Sequence, residues 1–126
     1  MFGRHCAQNI KQYNNKMDKL ITVFISTPYT GNEDWNVDIS IQASETLSYF
    51  GFVPFNPLLV HYWNKRFNHD YSFWVEYTSI WLLKCDVVFR LPGASSGADA
   101  EVELAKSNGI PVFHSYDELI GWRDGK

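Results

Sequence analysis

Cysteine is nearly absent from this chain. Cys6 and Cys85 are the only two in 126 residues and lie far apart. No disulfide framework is implied, and unpaired thiols point to a reducing compartment. No apolar run approaches the roughly 20 residues that a membrane-spanning helix needs, and the opening segment lacks the apolar core of a secretory signal. A cytoplasmic protein with no membrane partner is therefore expected. Basic excess is lacking too. The formal charge of -3 argues against a nucleic-acid backbone as partner, because such surfaces are usually basic. His61 and His69 match no metal-ligand spacing. No dinucleotide glycine fingerprint follows the first strand. The expectation is no metal and no cofactor, with any activity surviving chelators.

What is present suits one globular domain. The hydrophobic content is 45%, and aromatics reach 17% with five Trp. So many rings point either to a ring-binding pocket or subunit interface, or to a large core. Residues 1–17 are polar and aperiodic and read as a flexible N-terminal arm. Met17 directly precedes the first ordered element, and residues 18–126 read as a single α/β domain. Leu20 to Ser26 is apolar almost throughout, as a central strand covered on both faces should be. Thr27-Pro28-Tyr29 opens a loop at its carboxyl end, where Tyr29 is either a pocket residue or an ordinary loop tyrosine. From Asp34 to Phe50, the positions Ile39, Ala43, Leu47 and Phe50 form one helical stripe, which Gly51 ends. Phe52 to Phe55 is a short strand, broken by Asn56-Pro57.

Residues 56–71 read as a long connection carrying His61, Lys65, Arg66 and His69, mostly as solvated surface. Of these, His61 is the residue placed to reach a pocket. Ser72 to Lys84 is helical with two apolar faces, Phe73, Tyr77 and Ile80 on one and Trp74, Thr78 and Trp81 on the other. Two faces need two things to pack against, and a second subunit is the simplest candidate for one of them. Cys85 reads as a small buried hydrophobe rather than a nucleophile.

The stretch from Val87 to Val112 organises the rest. Val87-Val88-Phe89 reads as a buried strand, ended by Pro92-Gly93. Ser95-Ser96-Gly97 is a small polar loop able to cap a helix. Ala98, Val102 and Ala105 recur at helical spacing, and Asn108-Gly109 stops the helix. Ile110 to Phe113 is a fourth strand. Ser115 followed by Glu118 is a capping-box pattern that opens a last short helix. The order β-α-β-α-β-α-β-α predicts a flavodoxin-like, doubly wound parallel sheet of four to five strands with helices on both faces. In such sheets ligands bind outside the carboxyl ends of the strands. Glu101 is expected in the first turn of its helix, where the dipole and free amides would keep its carboxylate ionised. Two roles are open there: a nucleophile for an electrophilic sugar carbon, or a charge that merely favours the helix start.

Arg90-Leu91-Pro92-Gly93-x-Ser95-x-Gly97-Ala98-Asp99-x-Glu101-Val102-x-Leu104-Ala105, followed by Gly109-Ile110-Pro111-Val112, resembles the nucleoside 2-deoxyribosyltransferase superfamily. The nearest branch is its small, often phage- or prophage-borne members of unassigned function. Phe24-Ile25-Ser26-Thr27-Pro28-Tyr29 and Gly51-Phe52-Val53-Pro54-Phe55-Asn56-Pro57 fit the same pattern. The resemblance runs from about Leu20 to about Leu119. It implies that Glu101 attacks the anomeric carbon of a deoxyribose and displaces the base. It further implies that Ser95, Ser96 and Gly97 hold the sugar's 5′ side or a 5′-phosphate, and that Ser26, Thr27, Pro28 and Tyr29 line the sugar and base pocket. Pro57, His61, Thr78, Pro92, Gly93 and Asp99 complete the expected substrate contacts. Two positions depart from the pattern. Asp99 stands where many members have a second glycine. Thr78 stands where many have an aspartate that orients substrate and manages protons. Glu76 lies roughly 200° around the helix from Thr78 and does not replace it. Glu103 is offset from Glu101 by the same angle and reads as surface charge.

Two functions follow. The first is cleavage or transfer at the N-glycosidic bond of a deoxynucleoside or deoxynucleoside 5′-monophosphate, through a glycosyl-Glu101 ester. The second is a nucleotide-binding or regulatory protein on the same scaffold without turnover, which Thr78 favours. A purely structural α/β subunit is a third. The expected partner is a small nucleoside or nucleotide, and the expected assembly a homo-oligomer, a dimer or larger.

Overall fold

A computed structural model describes residues 20–126; the arm expected at 1–17 lies outside the described residues. The elements are β1 (Thr22–Ser26), α1 (Glu33–Tyr49), β2 (Val53–Phe55), a 3-10 turn (Pro57–Leu59), α2 (Val60–Arg66), α3 (Tyr71–Lys84), β3 (Val87–Arg90), α4 (Ser96–Ser107), β4 (Val112–Phe113) and α5 (Tyr116–Arg123). The strands make one parallel sheet in the order β2-β1-β3-β4. This is the expected α/β architecture, with four strands among the described residues.

Side-chain alternation along each strand divides the interior into two layers. Val23 and Ile25 of β1 and Val87 and Phe89 of β3 pack with Ala43 and Leu47 of α1 and Leu119 of α5. On the opposite face, Phe24 and Val88 pack with Leu82 of α3 and Ala105 of α4. Every residue of β3 is buried, as a strand with helices over both faces requires. Each such large apolar side chain contributes roughly 1.5–3 kcal/mol, so the sheet depends on both helical layers.

Three local expectations change. In α1 the buried positions are Val37, Ser40, Ala43 and Leu47. Phe50 falls at the C-cap, where the chain turns at Gly51 (φ 94) and leaves the ring exposed. The connection from 56 to 71 is not a plain loop. Asn56 Oδ1 accepts from the Leu58 amide at 3.0 Å and Pro57 follows as the first turn residue, a helix-starting pair, and α2 grows from it. In α3 the start is Tyr71, capped by Asp70 Oδ1 at 3.0 Å from the Phe73 amide. The sheet-facing side carries Leu82, and Trp81 stacks on Phe55 at 5.3 Å. Phe73 and Ile80, expected on one packed face, remain exposed. Part of the aromatic surface of α3 is met from within the chain: Trp63 of α2 lies edge-on to Trp74 at 4.9 Å and to Tyr77 at 5.4 Å. Val75, Ile80 and Leu83 are left facing outward.

Candidate active site

β1 leads away to β2 on one side, and β3 leads away to β4 on the other. The crevice between their carboxyl ends is thus a topological switch point, the place where open α/β sheets bind ligands. Ser26 and Arg90 end the two strands and are register partners across it. Ser26 is fully buried. By alternation it follows Phe24 onto the α3/α4 face, where its hydroxyl donates to Glu101 Oε1 at 2.7 Å and lies 3.3 Å from the Ala98 carbonyl.

Glu101 is not in the first turn of its helix. Ser95 Oγ accepts from the Ala98 amide at 3.1 Å, so α4 starts at Ser96 and its first-turn acid is Asp99. Glu101 lies one turn further on, beyond the free amides that would have stabilised its charge. Its environment works the other way. Burial pushes the carboxyl up from 4.5 to about 7, against the Ser26 hydroxyl and the nearby Arg90 guanidinium, which both pull it down. The expectation of a carboxylate held firmly ionised is therefore overturned. Near neutral pH Glu101 exists in both forms, and only the carboxylate can act as a nucleophile.

Arg90, given no role by sequence reasoning, holds this corner together. It is buried, and its Nη1 donates to the Leu91 carbonyl. Nη2 donates to the Gly93 carbonyl at 2.8 Å and to Asp99 Oδ1 at 3.2 Å. The turn through Pro92 and Gly93 is thereby tied to the start of α4. Asp99 faces this guanidinium, so its carboxylate has a structural partner where substrate contact was expected. Gly93 has φ +119, and a Cβ there would stand 2.8 Å from Pro28 Cγ. The loop after β1 and the loop after β3 meet at that point.

A second group of side chains stands beside the first. Tyr29, three residues after Ser26, has its hydroxyl 2.7 Å from His61 Nδ1, and His61 Nε2 is 3.1 Å from Asp34 Oδ1. Lys65 Nζ lies 3.7 Å from the same carboxylate oxygen. Asn36 Nδ2 fixes the loop by donating to the Tyr29 carbonyl at 2.9 Å. Tyr29, Asp34, His61 and Lys65 line a cleft of about 610 Å³ together with Gly31, Asn32, Glu33 and Asn64. Glu101 does not line that cleft; the loop from Ser26 to Tyr29 connects the two places.

The remaining expected residues sort by position. Thr27 and Pro57 are buried and serve the frame; Pro57 starts the turn that carries α2. Asn56, missed from sequence, joins them by donating to Ser40 Oγ at 3.0 Å. Ser95 acts as the cap. Ser96 is exposed beside it. Gly97 borders Tyr71, whose hydroxyl would be 3.5 Å from an added Cβ. The Thr78 hydroxyl donates back to the Trp74 carbonyl at 2.9 Å within α3. Among the described residues, no group of three or more His, Cys, Asp or Glu is gathered as a metal site would require, and no helix is long and apolar enough to cross a membrane.

Fold and site together define a doubly wound parallel α/β protein with a partly buried, protonatable carboxyl at its switch point. The chain belongs to the family described as "Domain of unknown function (DUF4406)", whose model matches residues 21–114. No protein with a curated description matches it. Among solved structures it is similar to the 2-deoxyribosyltransferase from the psychrotolerant bacterium Bacillus psychrosaccharolyticus, described as a biocatalyst for the industrial synthesis of antiviral and antitumoral nucleosides. The TM-score is 0.54 at 16% identity, over 72% of this chain and 69% of that one. At that identity the likeness is one of fold.

Proposed function

We propose that the protein cleaves or transfers the N-glycosidic bond of a deoxynucleoside or deoxynucleoside 5′-monophosphate, as a member of the 2-deoxyribosyltransferase superfamily. The observation that carries this is the Ser26 hydroxyl 2.7 Å from Glu101 at the β1/β3 crevice. Ser26 would hold one carboxylate oxygen and leave the other free to attack C1′. The C1′–N bond breaks and its electron pair leaves with the base. A second base or water then attacks C1′ from the vacated side and releases Glu101, with net retention. Pro92, Gly93 and the Ser95–Gly97 segment border the sugar's 5′ side, and Tyr29 with His61 borders the base. Such a substrate fits a cytoplasmic protein.

The second reading, a nucleotide binder without turnover, is favoured by the Thr78 hydroxyl turning to its own helix and by Asp99 facing Arg90. One experiment separates them. The protein is incubated with a panel of deoxynucleosides and their monophosphates, free base is followed by chromatography, and thermal shifts are recorded in parallel. Base release supports the enzyme. Thermal shifts without base release support the binder.

We also propose a homo-oligomer, at least a dimer, built on the outward side of α3 with Val75, Ile80 and Leu83, each more than two-fifths exposed. Large apolar side chains left exposed together mark contact surfaces. A monomeric mass by light scattering at micromolar concentration would overturn this.

A further inference from the structure

We propose that Tyr29, His61 and Asp34 form a proton relay that protonates the departing base, taking over the task of the acid absent at Thr78. This rests on the glycosidic reading above. Three observations support it.

The hydrogen bonds define a direction. The Asp34 carboxylate accepts, so the proton between it and His61 sits on Nε2. In the neutral ring Nδ1 is then the acceptor, and the Tyr29 hydroxyl donates to it. If the ring takes a second proton, Nδ1–H becomes a donor. Tyr29 must then accept from it and turn its own O–H outward. Protonation of a buried ring thus converts Tyr29 from a donor to His61 into a donor to whatever occupies the cleft.

The surroundings suit that task. Burial, then Glu33 and Asp34, hold the Tyr29 phenol above its ordinary range, so it rests protonated and gives up its proton only as His61, bonded at 2.7 Å, replaces it. The groups facing the ring are Asp34 and Glu33 of α1, Lys65 of α2 and the Tyr62 ring at 5.2 Å. The cleft of about 610 Å³ is large enough for a purine or pyrimidine, and Tyr29 is connected to Ser26, the partner of Glu101, by two intervening residues.

The step balances. As Glu101 bonds to C1′ and the C1′–N bond breaks, the base nitrogen takes the Tyr29 proton and Tyr29 takes the Nδ1 proton of the imidazolium. The ring is left neutral, with its Nε2–H on Asp34. When water or a second base attacks C1′, the proton it loses returns along the same path. Tyr29 is the catalytic member, and His61 and Asp34 are positioning residues that act through it.

The test uses two substrates that differ in their need for a proton. An ordinary purine deoxynucleoside must have its base protonated on leaving. A 7-alkylated purine deoxynucleoside carries a positive charge and its base leaves without taking a proton. Turnover of both is measured in the parent chain, Tyr29→Phe, His61→Gln and Glu101→Gln. General acid catalysis contributes about 10²–10⁴-fold. The ratio of ordinary to alkylated turnover should therefore fall at least about 100-fold in the Phe and Gln relay variants. Glu101→Gln should abolish both activities together. Misfolding would lower both rates equally and leave the ratio unmoved, so Tyr29→Phe, the milder change, guards against a structural effect at buried His61. An unchanged ratio in both relay variants, with Glu101→Gln inactive on both substrates, overturns the relay and leaves the nucleophile in place. A parent chain that releases base from neither substrate removes the glycosidic reading, and the relay with it.

Discussion

The two halves of the site are built on opposite terms. The Ser26–Glu101–Arg90 half sits where two central strands end. It is packed under α4, and its chemistry is set by burial, which brings a carboxyl to about 7. The Tyr29–His61–Asp34 half stands on a loop and two helix starts, opens into a cleft, and is set by hydrogen bonds that reach an exposed carboxylate. A rigid strand end can hold a reacting atom within a fraction of an ångström, and a loop can reshape around different bases. On the proposed function, the first half supplies the nucleophile and the second meets the departing base. Substitutions in the first should therefore change whether the reaction occurs, and those in the second which substrate undergoes it.

The largest effect is expected at Glu101. Glu101→Gln keeps the shape and the Ser26 hydrogen bond but cannot form the ester, so base release should fall by about 10³-fold or more. Glu103, exposed on α4, should tolerate the same change with almost no effect. In the parent, base release from the alkylated nucleoside, which needs no relay proton, should rise with pH through about 7, as the carboxylate forms. Comparable turnover in both variants would remove Glu101 as nucleophile.

The next effect is on stability, and it reverses what the sequence suggests. A first-turn glutamate would lose about 1 kcal/mol of dipole interaction on becoming glutamine. The observed Glu101 ionises near 4.5 in the unfolded chain and near 7 in the folded one. Between these values the folded chain keeps a proton that the unfolded chain has lost, so stability declines as pH rises through this window and levels off above it. A tenfold change in proton affinity is worth about 1.4 kcal/mol, so keeping the charge buried at pH 8 costs on the order of 3 kcal/mol. Glu101→Gln should thus be more stable than the parent at pH 8 by an amount of that order, and much closer to it at pH 5. Denaturant titrations at the two pH values measure this. An advantage that does not grow with pH would show that burial is not what governs the carboxyl.

These outcomes also mark what could be read from the chain alone. The strands and their order were legible, because short apolar runs bounded by Gly, Pro and Asn have few other uses. Glu101 was legible through the motif around it. Its turn was not, since Ser96 and Gly97 look like loop until Ser95 is seen to cap Ala98. The α2 helix was missed because Asn56-Pro57 breaks a strand and starts a helix with the same two residues. Arg90 lay in plain view, a charge closing a strand whose other residues are all apolar; that mismatch was the available signal. Nothing local could join Asp34 to His61, which stand 27 positions apart in the chain and meet only in the fold. The Thr78 departure is legible in the motif, while the donation of its hydroxyl to the Trp74 carbonyl within α3 is not.

The smallest effect sits where the halves join. Pro28 lies between Ser26 and Tyr29, and Gly93 is placed so that any Cβ would press on its ring at 2.8 Å. Gly93→Ala meets two costs, a positive φ of +119 and that contact. Gly109→Ala meets only one, because its φ is +69 and nothing lies within 4 Å of an added Cβ. A non-glycine residue at such angles costs about 1–3 kcal/mol. Gly109→Ala should fall at the low end of this range with turnover intact, and Gly93→Ala should lie about 1 kcal/mol above it, of the order reported for overpacking. Only Gly93→Ala displaces the loop that links Ser26 to Tyr29, so only it should lower base release in the protein that remains folded. The pair of variants, compared by denaturant titration and by turnover per folded molecule, isolates the Pro28 contact from backbone strain. Equal losses in both measurements would mean that the two halves of the site do not communicate through this loop.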